Sequence, residues 1–539
     1  MKMNKVVLLT GVLTLRICAF AAPQAVLCDP LEWLYDDSKP ADVKPYAATD
    51  VPANGVAEAN VLVVGLDPAQ PVEVSSDAPS AEWYRLVPVA VEKNTGLYGS
   101  ATYPSALTNL WVTRPAPFRV CDAMEPVADG RVAPDSPTMA LRFRLSGFSA
   151  AGRQRVRLTV RQGGFRAELP FDVNVHDVKL PAVGAKSYKY VNWINYDSIA
   201  ACHGLEPWSD AHYAMIERYA RLAVRSRQTM ATVPLFLTTN GVPEEAKLVR
   251  LVRTLDRAGI AWFLGGHFCG FYQGRWHVSP LAVKGCEWPV TTPAGALKLA
   301  EAAAGLNRVL DRNGLKGRWY QHVVDEPSPQ HVSDYRAACA IVRKNLPNVR
   351  LFDATETTDI AGLLDAYCPK SFVYEEWQGR HNVMKTSPTD EMWCYTCCFP
   401  GGKSLNRLLD KDPLQSVLLP WGCRLFGLDG YLHWGYNQFK PENDPLKRTV
   451  GDEVLKKEVL PPGDRNVVYA GKEGPWPSVR LEAMRQGMED AELWKLLADR
   501  DRPAADALMR RLVRGFGDYE TDHAKYRAVR RELLEAVSK

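Results

Sequence analysis

The rhythm of apolar and polar positions changes near residue 180. Before that point, short runs alternate between the two: "NVLVVGL", "WYRLVPVAV", "TNLWVTRPAPFRV", "MALRFRLSG", "QRVRLTVRQ" and "AELPFDVNVHDV". Alternation at every second residue turns one face of a strand towards a core and the other towards water. Pro, Gly, Asn and Asp separate the runs, and no long amphipathic helix interrupts them. Residues 40–180 are therefore predicted to form an antiparallel β-sandwich. The stretch "VKLPAVGAK", 178–186, reads as a linker.

From residue 187 the pattern alternates between strand and helix periods. "YKYVNWIN" precedes "DAHYAMIERYARLAVRSR", and "TMATVPLF" precedes "EEAKLVRLVRTLDRAG", which stops on Gly259. "IAWFLGGH" leads through an aromatic loop to "PAGALKLAEAAAGLNRVLDRNG", and "RWYQHVV" leads to "SDYRAACAIVRKNL". "VRLFDAT", "SFVYEEW", "MWCYTCC" and "LDGYLHWGY" bring the candidate strands to eight. Eight such units over residues 187–477 predict a (β/α)8 TIM-type barrel. Residues 478–539, beginning "SVRLEAMRQGMEDAELWKLL", read as amphipathic C-terminal helices. The expected fold is multidomain, as the length of 539 residues also requires.

Composition removes several function classes. A formal net charge of +4 without a long basic run gives no electrostatic footprint for nucleic acid. Lys2 and Lys5 precede an apolar run at 6–15, and Ala19, Phe20 and Ala21 form a small-x-small site. This pattern predicts a signal peptide over residues 1–21, too short to span a bilayer, and hence export without a membrane anchor. The twelve cysteines are spaced too irregularly for a disulfide framework. "CYTCC", 394–398, looks like half a zinc knuckle but lacks a second C-x-x-C, and it reads better as a buried strand. H-E-x-x-H, Walker and G-x-S-x-G patterns do not occur, so neither metal nor cofactor is expected.

The candidate chemistry lies in "HVVDEPSP", 322–329. Asp-Glu occurs three times, at Asp325-Glu326, Asp390-Glu391 and Asp452-Glu453. The second pair precedes a strand, on the barrel face that serves stability, and the third sits in a Lys-rich loop. Asp325 and Glu326 alone follow a strand, at the face where barrel enzymes build active sites. A helix start or a solvated turn is the structural alternative. Two adjacent carboxylates tend to ionise in separate steps, so one stays charged while the other carries a proton. Such a pair suits a glycosidase whose nucleophile is the substrate's own 2-acetamido oxygen, an exception to the usual carboxylate pair.

The chain resembles glycoside hydrolase family 123, N-acetyl-β-galactosaminidases with a β-sandwich followed by a catalytic barrel, and the wider set of glycosidases sharing that barrel. The resemblance covers roughly residues 40–500 and rests on "VVDEP", "GLDGYLHWGYNQF" and "RLEAMRQGMEDAELW". It implies that Asp325 stays ionised to orient the acetamido group and that Glu326 is the acid/base. It also implies a glycan or glycoconjugate as the partner.

Further candidates near the barrel mouth are weighed against core packing. Trp434 and His433, near the last strand's end, are expected to supply a stacking floor and a hydroxyl contact. Tyr374 and Tyr395, at the ends of strands six and seven, are candidates for the acetamido oxygen. Asn195 and His267, ending strands one and three, are candidates for sugar hydroxyls. Arg480, Glu482, Arg485, Glu489 and Asp490 have helical spacing for ion pairs and read as structural. Two competing functions remain. One is a conventional two-carboxylate glycosidase on a non-acetamido sugar, with Asp353, Glu356, Glu375 or Glu376 as nucleophile. The other is a barrel that binds glycan without cleaving it.

Overall fold

The computed structural model describes residues 22–538, apart from 98–109, 149, 239–242, 276–277, 356, 450–452 and 456–457. The expected signal peptide lies outside the described residues. The alternating runs of the N-terminal part form two five-stranded sheets. One holds, in spatial order, Gln24–Cys28, Val56–Val64, Thr138–Ser146, Ala81–Val91 and Phe118–Pro126. The other holds Ala48–Pro52, Phe165–His176, Gly152–Gln162, Val72–Ser76 and Arg131–Val132. Pairing is antiparallel except between Ala48–Pro52 and Phe165–His176, which run parallel. The alternate residues Val61, Phe143, Leu158 and Phe171 of the two sheets share one apolar core. Phe143 and Phe171 meet edge to face across it, 6.1 Å apart.

Eight parallel strands then close into a barrel in chain order: Lys189–Asn192, Met230–Val233, Trp262–Gly265, Trp319–Gln321, Arg350–Ala354, Ala366–Cys368, Glu391–Thr396 and Gly430–His433. The sixth strand departs from the expected one. "SFVYEEW" folds as the helix Ser371–Glu376, and the strand is the three residues Ala366–Cys368 just before Pro369. Among the described residues, no helix is long and apolar enough to cross a membrane.

The long helix Val479–Ala498 is not amphipathic as expected. Most of its residues on every face are buried, and it packs against the barrel helix Pro413–Leu425 and the strand Phe118–Pro126. Its charged residues tolerate burial because they are paired. Arg480 binds Asp122 of the first sheet at 2.9 Å. Arg485 binds Glu58 of that sheet at 2.6 Å, together with Glu482 and Glu489 of its own helix. The outer face of the first sheet meets the barrel in a further apolar cluster containing Leu62, Leu86, Val120, Leu409, Tyr469 and Val479. Truncating one member of a buried ion pair leaves the other charge unsolvated. Arg485→Ala is therefore expected to destabilise the protein by about 3–5 kcal/mol in chemical denaturation.

The Asp390-Glu391 pair is structural. Asp390 accepts backbone amides of Thr386 and Ser387. Glu391 accepts the hydroxyl of Tyr320 at 2.8 Å and the indole of Trp393 at 2.8 Å, and it pairs with Lys189 and Arg350. It thereby ties four strands together at the floor of the barrel.

Candidate active site

The fourth barrel strand ends at Gln321, and the chain then turns through Val323 and Val324, both fully buried, before presenting Asp325 and Glu326. Glu326 has a φ of 47°. The left-handed region is unusual for a residue other than glycine, and Pro327 restricts it further. Strain of this kind persists only where surrounding structure fixes the chain.

Beneath the turn lies Asp353, fully buried near the end of the fifth strand. Its carboxylate accepts the amide of Val323 at 3.1 Å, the amide of Val324 at 3.2 Å, the Tyr335 hydroxyl at 2.6 Å and Nδ1 of His322 at 2.8 Å. The His322 ring stacks on His267 with centroids 4.0 Å apart, and Trp193 stands edge-on to both. His267 Nε2 lies 4.0 Å from Asp325 Oδ1. Ligating atoms of His267, His322 and Asp353 gather within 4.8 Å of one another. Stacked rings do not converge on one point, however, and the carboxylate's lone pairs are already taken, so the donor set suits a hydrogen-bonded support better than a cation.

The two carboxylates have different surroundings. The Tyr395 hydroxyl donates to Glu326 Oε1, and Lys370 Nζ lies 3.7 Å from the same oxygen. Asp325 faces His267, with the Lys284 ammonium exerting an attractive field. Burial, then the charges of Glu326 and Asp353, push the Asp325 carboxyl well above its ordinary value. This direction differs from the expectation that Asp325 is the member of the pair that stays ionised at working pH. In the unliganded site Asp325 is held protonated to higher pH than an ordinary aspartate. Burial and the neighbouring His322 push His267 well below the usual imidazole range, so it is neutral at pH 7.

A parallel barrel of this kind hosts many chemistries, so the fold alone assigns none. Residues 283–497 match the family model described as the glycoside hydrolase 123 catalytic domain. This region belongs to glycoside hydrolase family 123. The whole fold also aligns with a family 123 glycoside hydrolase from Clostridium perfringens, with a TM-score of 0.69 and 10% identity, over 96% of this chain and 97% of that one. That enzyme is described in terms of glycolipid glycan hydrolysis. A Bacteroides ovatus GH5 xyloglucanase aligns with a TM-score of 0.34 and 9% identity, over 82% of this chain and 98% of that one. No curated protein matches the chain.

At the barrel mouth the structure brings together Asp325, Glu326 and Tyr395 of the matched region with His267, which precedes it. It engages the other candidates elsewhere. Tyr374 sits on the helix Ser371–Glu376 instead of a strand end, and its hydroxyl donates to Asn382 at 3.0 Å. Asn195 caps the helix Tyr196–Cys202 by accepting the Ser198 amide, and its amide group donates to Gln438. One end of its side chain is thus spent on its own helix and the other on joining the loops after strands one and eight. His433 is fully buried, accepts the Gly435 amide at Nδ1, and is held neutral by burial and by Arg407 and Arg480. Trp434 is half-buried, and its indole donates to Asp464 at 3.2 Å. Burial raises the Asp464 carboxyl to about 7.

Two of the four carboxylates weighed as protein nucleophiles are likewise occupied. Asp353 is saturated beneath the turn, and Glu375 accepts the Phe516 amide at 3.1 Å. Glu376 is exposed on the same helix, and Glu356 lies outside the described residues. In the loop at 267–276, Cys269–Phe271 pairs with Leu281–Val283 further along the chain; Trp276 lies outside the described residues. Cys394 is buried in the seventh strand, its Sγ 3.6 Å from that of Cys423. Sequence reasoning missed Trp193, Lys284, His322 and Lys370. Lys370 had a local signal, since it follows a proline at a strand end; the stack of Trp193, His267 and His322 had none, because three separate strands supply it.

Proposed function

We propose that the protein is an exported, retaining exo-glycosidase that removes a β-linked N-acetylhexosamine, N-acetylgalactosamine in the first instance, by substrate-assisted catalysis. The N-terminal sheets act as a β-sandwich that buttresses the barrel, and the leader pattern at 1–21 supports export. One observation carries the reading: a family 123 catalytic domain presents adjacent carboxylates whose surroundings differ. Asp325 accepts the acetamido N–H and turns the acetamido oxygen towards the anomeric carbon. Positive charge then develops on the forming oxazolinium ring, beside the Asp325 carboxylate. Glu326 protonates the leaving oxygen and later takes a proton from the water that opens the ring. Asp353 and Glu375, two of the carboxylates considered as nucleophiles, are engaged elsewhere, which favours the substrate's own oxygen. The glycolipid-active relative supports a glycoconjugate as the natural substrate class.

A panel of nitrophenyl glycosides, each sugar with and without its 2-acetamido group, tests the reading. Hydrolysis confined to acetamido sugars is expected. Equal rates on 2-hydroxy sugars replace it with a conventional two-carboxylate mechanism.

The pH dependence has a definite sign. Asp325 must be ionised to accept the N–H, and its carboxyl is raised in the free site. The ratio kcat/KM should therefore fall as pH drops, with an acid limb centred above the ordinary carboxylate value of about 4. An acid limb at or below that value in a pH–rate profile counts against the assignment of Asp325.

A further inference from the structure

We propose that Asp353 is a positioning residue for the reaction, holding the turn that aims Asp325 and Glu326; this rests on the reading of that pair as catalytic. Three features of the site meet at this one carboxylate. It accepts the consecutive amides of Val323 and Val324, immediately before Asp325. It orients His322 through Nδ1, and His322 carries the stacked ring of His267, whose Nε2 faces Asp325. It also accepts the hydroxyl of Tyr335, on the helix Val332–Asn345 that follows the catalytic turn. The carboxylate thus links the end of the fifth strand to both ends of the loop that leaves the fourth.

An aspartate suits this task because its ionised form only accepts, through two oxygens, and every neighbour here is a donor. The position is costly in other respects. Asp353 is fully buried, and among the described residues no Lys or Arg forms an ion pair with it. Desolvation raises its carboxyl, while the bonds from His322, Tyr335 and Val324 act in the opposite direction. A buried carboxylate held mainly by hydrogen bonds adds little to stability, but a satisfied network of this kind fixes local geometry. The left-handed conformation of Glu326 needs such fixing, since an unrestrained Glu-Pro segment relaxes to an extended conformation.

The test uses the full chain and two variants. Asp353→Asn keeps the shape but replaces one acceptor oxygen with a donor; Tyr335→Phe removes one bond and leaves both amides in place. Kinetics on the best nitrophenyl N-acetylglycoside are read beside amide hydrogen exchange across residues 322–327. Misplacing the carboxylates by a fraction of an ångström should lower kcat of Asp353→Asn by about 100-fold. KM should change by less than about threefold, since binding contacts remain. The amides of Val323 and Val324 should exchange faster, and Tyr335→Phe should fall between this variant and the wild type in both measurements. Unchanged exchange in a folded Asp353→Asn, or a loss confined to KM, overturns the proposal. If Asp353→Asn does not fold, unchanged kcat and exchange in Tyr335→Phe overturn it, and intermediate values in both support it. A wild-type protein that cleaves no glycoside refutes the proposed function, whereas exchange alone then decides whether Asp353 holds the turn.

Discussion

Glu326→Gln is expected to lower turnover of a natural β-linked glycan by roughly two to four orders of magnitude, the worth of a positioned general acid. Glutamine preserves the volume and still accepts the Tyr395 hydroxyl, so the loss reports the missing proton and not a collapsed site. Leaving groups separate the two directly. A nitrophenolate departs with little protonation, and its glycoside should lose far less than an alkyl glycoside does. With an activated leaving group, ring closure is spared and the later hydrolysis of the oxazoline becomes slow, so added azide should capture the intermediate. Near-normal hydrolysis of a natural glycan by this variant excludes Glu326 as the acid/base.

The second large effect belongs to Asp325. Asp325→Asn retains the shape but cannot balance the charge of the oxazolinium ring. That charge grows towards the transition state, so kcat should fall by about 100-fold or more while KM moves little. A thiazoline mimic of the cyclised intermediate should bind the wild-type protein tightly and this variant weakly. The free site holds Asp325 protonated to elevated pH, and binding of a cationic mimic should ionise it. Trapping of a covalent sugar on a protein carboxylate, or equal thiazoline affinity in both proteins, defeats substrate assistance.

What could be read from the chain divides by the length scale of the physics. Asp325 and Glu326 were legible because an apolar strand ends just before them and a proline follows, which places both at a barrel mouth. The eight-fold count was legible for a similar reason, since six strands run to four or more residues and the short fourth lies in the apolar run "RWYQHVV". The sixth was not: "SFVYEEW" is rich in β-branched and aromatic residues, whereas the real strand, Ala366–Cys368, is three residues long and carries no period. That shift alone moved Tyr374 from an expected strand end to a helix. Asn195 was misread because a capping side chain and a sugar ligand look alike in sequence. In the helix Val479–Ala498 the ion pairing was legible from helical spacing, but the burial of every face was not, because the partners Glu58 and Asp122 lie more than 350 residues away. The support beneath Asp325 was invisible for the same reason, being assembled from four strands.

The pairing of Arg480 with Asp122 and of Arg485 with Glu58 bears on how this enzyme can be inherited and engineered. An appended module joined by a tether can be lost or exchanged without harm to its neighbour. Here the last barrel helix sends two buried guanidinium groups into the N-terminal sheet, so excising that sheet strands both charges in a dry interface. A gene fragment beginning at residue 187 should yield insoluble protein, and grafting a foreign sheet domain onto the barrel should fail unless it brings acids to those two points. The N-terminal sheets and the barrel should therefore fold as one unit, and directed evolution of substrate range should begin from the undivided chain.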